Sequence, residues 1–464
     1  MTGVAVPDLG QKSLVLTPHP LQRIGAFAVA ALAGARTPDR VTPAGFDGVV
    51  DRMVEDLTAA ARVPKGEPGW YLLGVSYLLW PNSAVNHPSN RKREPEEIRE
   101  RIRAWRSPKP FEQRPQAPCS LCGRPSAGWY GKLDIPLGAS VDQRNTTVAG
   151  HQGTPLCFPC VTCFHALPYA CAAGGGLLSG VFSWDDNFLA RATGREVQRN
   201  QGAIASAGGL ARSGGSFAPE FGALRALRHW PYRVTDGVEV LAFSNNNQDQ
   251  KIRSDRAEQP LAEWLRTTLR DGGRRAGFRH LSRAQATAKV GGLRMLAWRA
   301  FNHPERVASA GVAWLKDRSE DGVLPAATRE LVPLIRSYIT EVLLTMHEKD
   351  VGHVSSVAGR IATVVADGGT LKSFQVATRK PGDLRAWLKK EATAWTLDKQ
   401  RQGAFVSTTE WRVLFDQGQT SWSARDLLYI CVLEYLAARD TVIAVGEDEE
   451  FEDADFTTLD QEEN

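Results

Sequence analysis

The sequence has no GxxxxGK[ST] phosphate loop, no GxSxG elbow, no HExxH helix and no His-Asp pair. The common sites for nucleotide phosphates, acyl transfer and metal-assisted hydrolysis therefore have no anchor here. Histidine is sparse, nine in 464 residues, and scattered. Long apolar runs are missing too. The first candidate, Ile24 to Ala35, begins after Arg23, falls short of the ~18 residues of a bilayer span and lacks the early basic region of a signal peptide, so it reads as a buried helix. A disulfide framework is disfavoured: six of the seven cysteines crowd into residues 119 to 171, and Cys431 lies in a helical pattern. That usage suits metal binding in a reducing cytosol. The expectation is a cytoplasmic chain with no membrane partner.

What is present centres on those cysteines. Cys119-x-x-Cys122-Gly-Arg-Pro is separated from Cys157-x-x-Cys160 by 34 residues. Each CxxC turn offers two thiolates from one tight bend, and two such turns supply the four soft ligands that Zn²⁺ takes at tetrahedral corners. A set closed by four sulfurs leaves no position for an activated water, so Cys119, Cys122, Cys157 and Cys160 are expected to hold structural Zn²⁺. In small zinc peptides such binding is worth about 10–16 kcal/mol of folding free energy. Cys163 is an alternative to Cys160, and His165 and Cys171 read as packing residues beside the site. Pro159-Cys160-Val161-Thr162-Cys163 also matches the PCxxC half of a zinc nucleobase deaminase, whose other half is a His-x-Glu. Upstream there is only His151-Gln152-Gly153, and the deaminase reading is rejected on the expectation that no His-x-Glu accompanies it.

With 42% hydrophobic and 23% charged residues, the chain is long enough for about three cores of ~150 residues. The net charge of +4 conceals a division. Residues 447 to 464 hold ten acidic and no basic side chains, leaving 56 basic against 42 acidic in the rest. A basic body suits a phosphate-backbone binder, although a solvated basic surface has the same composition.

Residues 1–114 are expected to form an N-terminal α/β region. It contains a Gly/Ala-rich helix, whose small residues let another element approach closely, and a basic segment with Arg91, Lys92 and Arg93. On that segment Arg99, Arg103 and Arg106 share a helical face. Residues 115–165 are expected to be a zinc-ribbon insertion, with a strand and turn from Trp129 to Leu137. Residues 166–290 would continue the α/β body with strands at Leu177–Phe182 and Gly237–Ser244, and with a Gly/Ser/Ala-rich loop at 202–216. Asn245, Asn246, Asn247 and Gln248 at the second strand's end could read base edges or form a polar turn; Lys251 and Arg253 follow. The most basic stretch, Arg266 to Arg306, includes Arg274, Arg275, Arg279, Arg283 and Lys289 against only Asp271 and Glu305, and is the better phosphate-tracking candidate. Residues 291–445 read as a C-terminal helical bundle, its last helix started by a Ser423/Asp426 capping box. Residues 446–464 are expected to be a disordered acidic tail. The fold class is α+β: a mixed α/β body, an inserted zinc ribbon and a helical bundle.

These residues resemble the large subunit of a type I CRISPR effector complex (Cascade), in the zinc-ribbon branch of type I-B and related systems. The resemblance rests on Cys119-x-x-Cys122-Gly123-Arg124-Pro125, Ile135-Pro136-Leu137, Gly153-x-Pro155-x-Cys157-x-x-Cys160, Ala166-Leu167-Pro168 and Gly174-Gly175. Phe243-Ser244-Asn245 and the helix from Gly25 to Ala33 add to it, so that it covers roughly residues 20 to 250. It implies a non-catalytic subunit near the 5′ end of the guide CRISPR RNA, held by the other backbone subunits. Such a subunit reads the short motif flanking double-stranded target DNA (the PAM), helps open the duplex and recruits the helicase-nuclease. The bundle would then correspond to a small-subunit fold, made separately if translation also starts inside the gene, with Met295 the favoured start. The extra Cys163 and Cys171, and Asn246-Asn247 after Asn245, depart from the family's pattern. Two other classes compete: a stand-alone zinc-ribbon nucleic-acid-binding regulator and a divergent metal-dependent nuclease.

Overall fold

The computed structural model describes residues 12–65, 67, 69–139, 151–205, 215–245, 250–343, 346–416, 421–439, 442–443 and 454–460. These form a mixed α+β, mainly helical chain in two compact units. The first, Met1–Ala226 with Thr235–Arg256, carries α1 (Pro20–Leu32), α2 (Pro43–Ala60), α3 (Tyr71–Leu79), α4 (Pro95–Arg106), β1 (Gly128–Tyr130), β2 (Thr154–Leu156), α5 (Phe158–His165) and α6 (Leu167–Ala170). It continues with β3 (Ala172–Gly174), β4 (Leu177–Phe182), α7 (Asp186–Ala205), most of α8 (Ala218–Arg228), β5 (Val238–Asn245) and, but for its last residue, β6 (Gln250–Ala257).

The Gly/Ala pattern of α1 makes it the axis of this unit. Pro20 at its first position costs no hydrogen bond, because that N–H would have no helical partner. Residues 24 to 30 are all buried, and α1 packs on α5, α6 and α7. Gly25 lies flush against α5: a Cβ there would sit 2.0 Å from the Cys163 carbonyl oxygen. Close approach, expected from the small residues, is thus met at one particular backbone atom.

Beside α1 lies a four-stranded sheet in the order β3-β4-β5-β6. Gly175 and Gly176 turn β3 into β4 with φ of +60° and +77°, a backbone that glycine adopts without strain. β4 alternates buried and half-buried residues, and pairs antiparallel with β5 from Leu178↔Phe243 to Phe182↔Glu239. β5 is buried almost throughout, whereas the edge strand β6, Gln-Lys-Ile-Arg-Ser-Asp-Arg-Ala, is exposed until Ala257. Charged side chains on an edge strand discourage unwanted pairing with another chain.

The second unit, Leu227–Val234 with Ala257–Asn464, contains α9 (Gln259–Arg270), α10 (Gly272–Gln285), α11 (Gly292–Asn302), α12 (Glu305–Arg318), β7 (Val323–Leu324), α13 (Thr328–Ser337), α14 (Glu348–Ala366) and α15 (Leu371–Thr378). After these come α16 (Pro381–Leu397), α17 (Thr408–Phe415), α18 (Ser421–Ala437), β8 (Val442–Ile443), parallel to β7, and α19 (Ala454–Asp460). Apolar residues at helical spacing are buried in α13 and just after it (Leu331, Leu334, Ile335 and Tyr338) and in α18 (Leu427, Leu428, Cys431 and Val432), whereas Tyr435 is 36% exposed. α18 packs against α13, α14 and α17.

Several expectations need correction. α10, which lies before the expected bundle start at 291, packs on α11, α12 and α13 within the second unit. Ser423 does not cap α18, which begins at Ser421; Ser423 is buried within the helix, and Asp426 pairs with Lys316. The capping box occurs one helix earlier, where Ser407 Oγ accepts from Glu410 N and Glu410 Oε2 accepts from Ser407 N. The tail is not structureless throughout: α19 is helical, with Phe456 and Leu459 buried. In the expected loop at 202–216, residues 202–205 close α7, and 206–214 lie outside the described residues.

Two glycine substitutions separate close packing from helix propensity. Gly25→Ala should lower the unfolding free energy by about 3 kcal/mol, since its Cβ meets backbone. Gly352→Ala, on an exposed turn of α14 with open space around it, should raise it by about 0.4–1 kcal/mol. Thermal and urea unfolding of the two variants measures both signs.

Candidate metal centre

Four sulfurs converge because two tight bends are hydrogen-bonded to each other. Gly123, at φ +75°, returns its N–H to the Cys119 carbonyl, and the Cys119 N–H donates to Arg124 O at 2.7 Å, closing the first CxxC turn. Ser120 N donates to Pro155 O and Ala127 N to Leu156 O, and the β1–β2 pair continues that register with Gly128↔Leu156. The second CxxC is a helix start, with Cys157 at the N-cap of α5 and Cys160 in its first turn. Helix N-termini favour negative charge, so this turn suits thiolates.

The Sγ atoms of Cys119, Cys122, Cys157 and Cys160 all lie within 4.8 Å of one another. Those of Cys122 and Cys157 are 3.4 Å apart. Four sulfurs each ~2.3 Å from a tetrahedral Zn²⁺ would be roughly 3.8 Å apart, inside that spread. Donor type, number and spacing therefore fit a metal ion and are compatible with zinc. Without a cation, crowding splits the thiols: hydrogen bonds from Cys157 and Cys160 hold the Cys119 thiol far below its ordinary value and push the two donors up. Only a cation allows all four to be thiolates together.

The neighbours take other roles. Cys163 is outside the four-sulfur group: its thiol donates to Pro159 O at 3.2 Å and accepts from Gln22 Nε2 at 3.5 Å, and burial pushes it up to about 12. Cys171 is fully buried. His165 packs edge-on to Trp80, with centroids 6.1 Å apart, and burial holds its imidazole well below the ordinary value. A His-x-Glu triplet does occur in the chain, contrary to expectation: His303-Pro304-Glu305 lies in the second unit, where His303 Nδ1 is 3.6 Å from Glu305 itself. The four-sulfur group takes no ligand from it.

The nucleic-acid candidates divide by environment. Arg91 and Lys92 are exposed on a 3₁₀ turn, while Arg93 is tied to Glu97 and Ser89. On α4, Arg99 pairs with Glu55 and Glu96, and Arg103 with Asp51, so this face answers the acids of α2. Arg106 is buried, its guanidinium 4.3 Å from the ring centres of both Trp80 and Trp105, and desolvation lowers its pKa to about 9. No sequence pattern announces that sandwich. Asn245 is likewise internal: Nδ2 donates to Leu79 O and Lys132 O, and Oδ1 accepts from Gln250 Nε2. Its carboxamide joins the sheet to two loops rather than facing a base. Asn246, Asn247 and Gln248 lie outside the described residues.

Lys251 and Arg253 stand on exposed β6, with Arg253 bridging buried Glu220 and Asp255. In the second unit Arg279 and Lys289 are exposed, Arg275 and Arg283 are half-buried, and Arg274 reaches Glu341. Among the described residues no helix is long and apolar enough to cross a membrane. No protein-family profile, curated protein or solved structure matches the chain.

Elemental analysis of the purified protein should find one divalent metal per chain. Cys160→Ser should lose it, whereas Cys163→Ser should retain it with a modest loss of stability, because Cys163 makes packing and hydrogen-bond contacts only. Equal metal content in the two variants would show that the ligand set is different.

Proposed function

We propose that the chain is the non-catalytic large subunit of a type I CRISPR RNA-guided complex, reading the motif that flanks a double-stranded DNA target and recruiting the helicase-nuclease. The observation that carries the reading is the closed four-sulfur set, formed by the same two CxxC turns that anchor the family resemblance. On this reading the set is a zinc ribbon, its four positions filled by protein, so the ion would clamp the turn before β1 to the start of α5 after β2 and offer no place for substrate. The helices from α9 to α18 then act as the small-subunit-like bundle. A separate product started at Met295 would begin inside α11 and lack α9 and α10, whose Trp264, Phe278 and Leu281 are buried, so the full-length chain is the functional carrier of that bundle.

Exposed basic residues at four places supply backbone contacts: Arg91 and Lys92, Lys251 and Arg253 on β6, Arg279 on α10, and Lys289 in the loop that follows it. Phosphate contacts position a protein, while base edges carry sequence information, so these side chains would hold DNA and leave the flanking motif to other groups.

Affinity capture of the tagged protein from its native host, with sequencing of bound RNA, tests the assignment. Repeat-derived guide RNAs and a stoichiometric set of partners are the expected result. Recovery of the chain alone, with sequence-preferring DNA binding, would favour a stand-alone regulator; metal-dependent cutting lost with carboxylate substitutions would favour a nuclease. In the assembled complex, Lys251→Glu and Lys289→Glu should each weaken DNA binding at every target sequence and reduce the slope of log affinity against log salt by about 1.

A further inference from the structure

Within the acidic C-terminal stretch, α19 docks on the most basic part of the chain. α19 packs against α11, and Asp455 receives Arg294 Nε on both carboxylate oxygens, at 3.0 and 2.9 Å. Phe456 inserts beside α10, its ring edge-on to Phe278 at 6.2 Å, with the Arg279 guanidinium 6.0 Å from the ring centre. Phe456 is 8% exposed and Leu459 1%. Among the described residues, α19 is thus held by the apolar anchors Phe456 and Leu459 and by the Asp455–Arg294 ion pair over arginines that a phosphate backbone would need.

We propose that the surface of α10 and α11 beneath α19 is a nucleic-acid phosphate site, occupied in the resting protein by the chain's own α19 and opened when DNA displaces it. The proposal rests on the nucleic-acid-binding reading above and adds the site and its internal competitor. Seven residues are too few for a helix stable alone in water, so α19 exists because it is docked and melts when released. Displacement therefore has two states. The Asp455 carboxylate and a DNA phosphate make the same charge-assisted bond to Arg294, and cannot make it together. Release would also carry the Asp455 carboxylate away from Arg294, removing like charge from the incoming strand.

The test compares the full-length protein with its Phe456→Ala/Leu459→Ala variant, which unseats α19 but keeps every charge. Binding to a 30-base-pair DNA duplex is measured by fluorescence anisotropy at about 50 mM salt. The expected result is about five-fold or greater tightening, converging with the parent at high salt, and abolished by adding Arg279→Glu. Equal affinity of parent and variant overturns the proposal and leaves the nucleic-acid reading standing. Absence of binding by both overturns the two together. Hydrogen exchange on the unsubstituted protein keeps the idea testable if the variant misfolds: DNA should strip protection from 454–460, and retained protection on bound protein overturns it.

Discussion

Four sulfurs confined within 4.8 Å cannot all carry charge unless a cation sits among them, and the first unit is built outward from that constraint. The second pair of sulfurs starts α5, and α5 meets α1 at Gly25, where the Cys163 carbonyl leaves no room for a Cβ. On its other side α1 touches the sheet, with Ile24 Cδ1 3.1 Å from the position of a Gly180 Cβ on β4. The four-sulfur group, α5, α1 and the sheet are therefore in direct mechanical series. A disturbance at the sulfurs has few flexible side chains to absorb it before it reaches β4.

Buried polar groups fix the loops around this stack. Asn200 Nδ2 donates to the carbonyls of Tyr169 and Cys171, and the Tyr71 hydroxyl lies 3.0 Å from the same Cys171 oxygen. Asn245 does the same for the end of α3 at Leu79 and the loop at Lys132. A buried carbonyl left without a donor costs about 1–3 kcal/mol, so each of these side chains makes one loop path much better than its alternatives. Arg106 is different. None of its guanidinium nitrogens has a hydrogen-bond partner, and two tryptophan faces stand in for water. Cation–π contact offsets only part of that desolvation, which is why its proton is held less tightly than an ordinary arginine's.

Patterns that depend on neighbours in the chain were legible from the sequence. The CxxC turns, the strands at Leu177–Phe182 and Val238–Asn245, and the helical stripes through Leu331 and Leu427 all follow from local spacing. What escaped depends on partners far away in sequence. Asn245 looked available to a base because nothing local shows three oxygens from 110 to 166 residues upstream converging on its amide. Arg99 and Arg103 share a helical face by spacing alone, but only the fold shows that acids of α2 stand opposite them. The tail was misjudged on composition: its few apolar residues are too few for a core of their own, yet Phe456 and Leu459 are enough to dock the short helix α19 onto an existing core.

The discontinuous first unit bears on how the protein is made. β4 ends at Phe182 and its central partner β5 begins only at Val238, while the four cysteines have all been synthesised by residue 160. At about 5–20 residues per second, the intervening stretch of roughly 55 residues takes on the order of 3–11 seconds to appear. During that interval β4 has β3 on one side and an open edge on the other. A nascent chain whose four-sulfur group had captured a cation early would present that edge from a rigid scaffold, whereas one without it would present a loose apolar segment to the chaperones and to its neighbours on the same message.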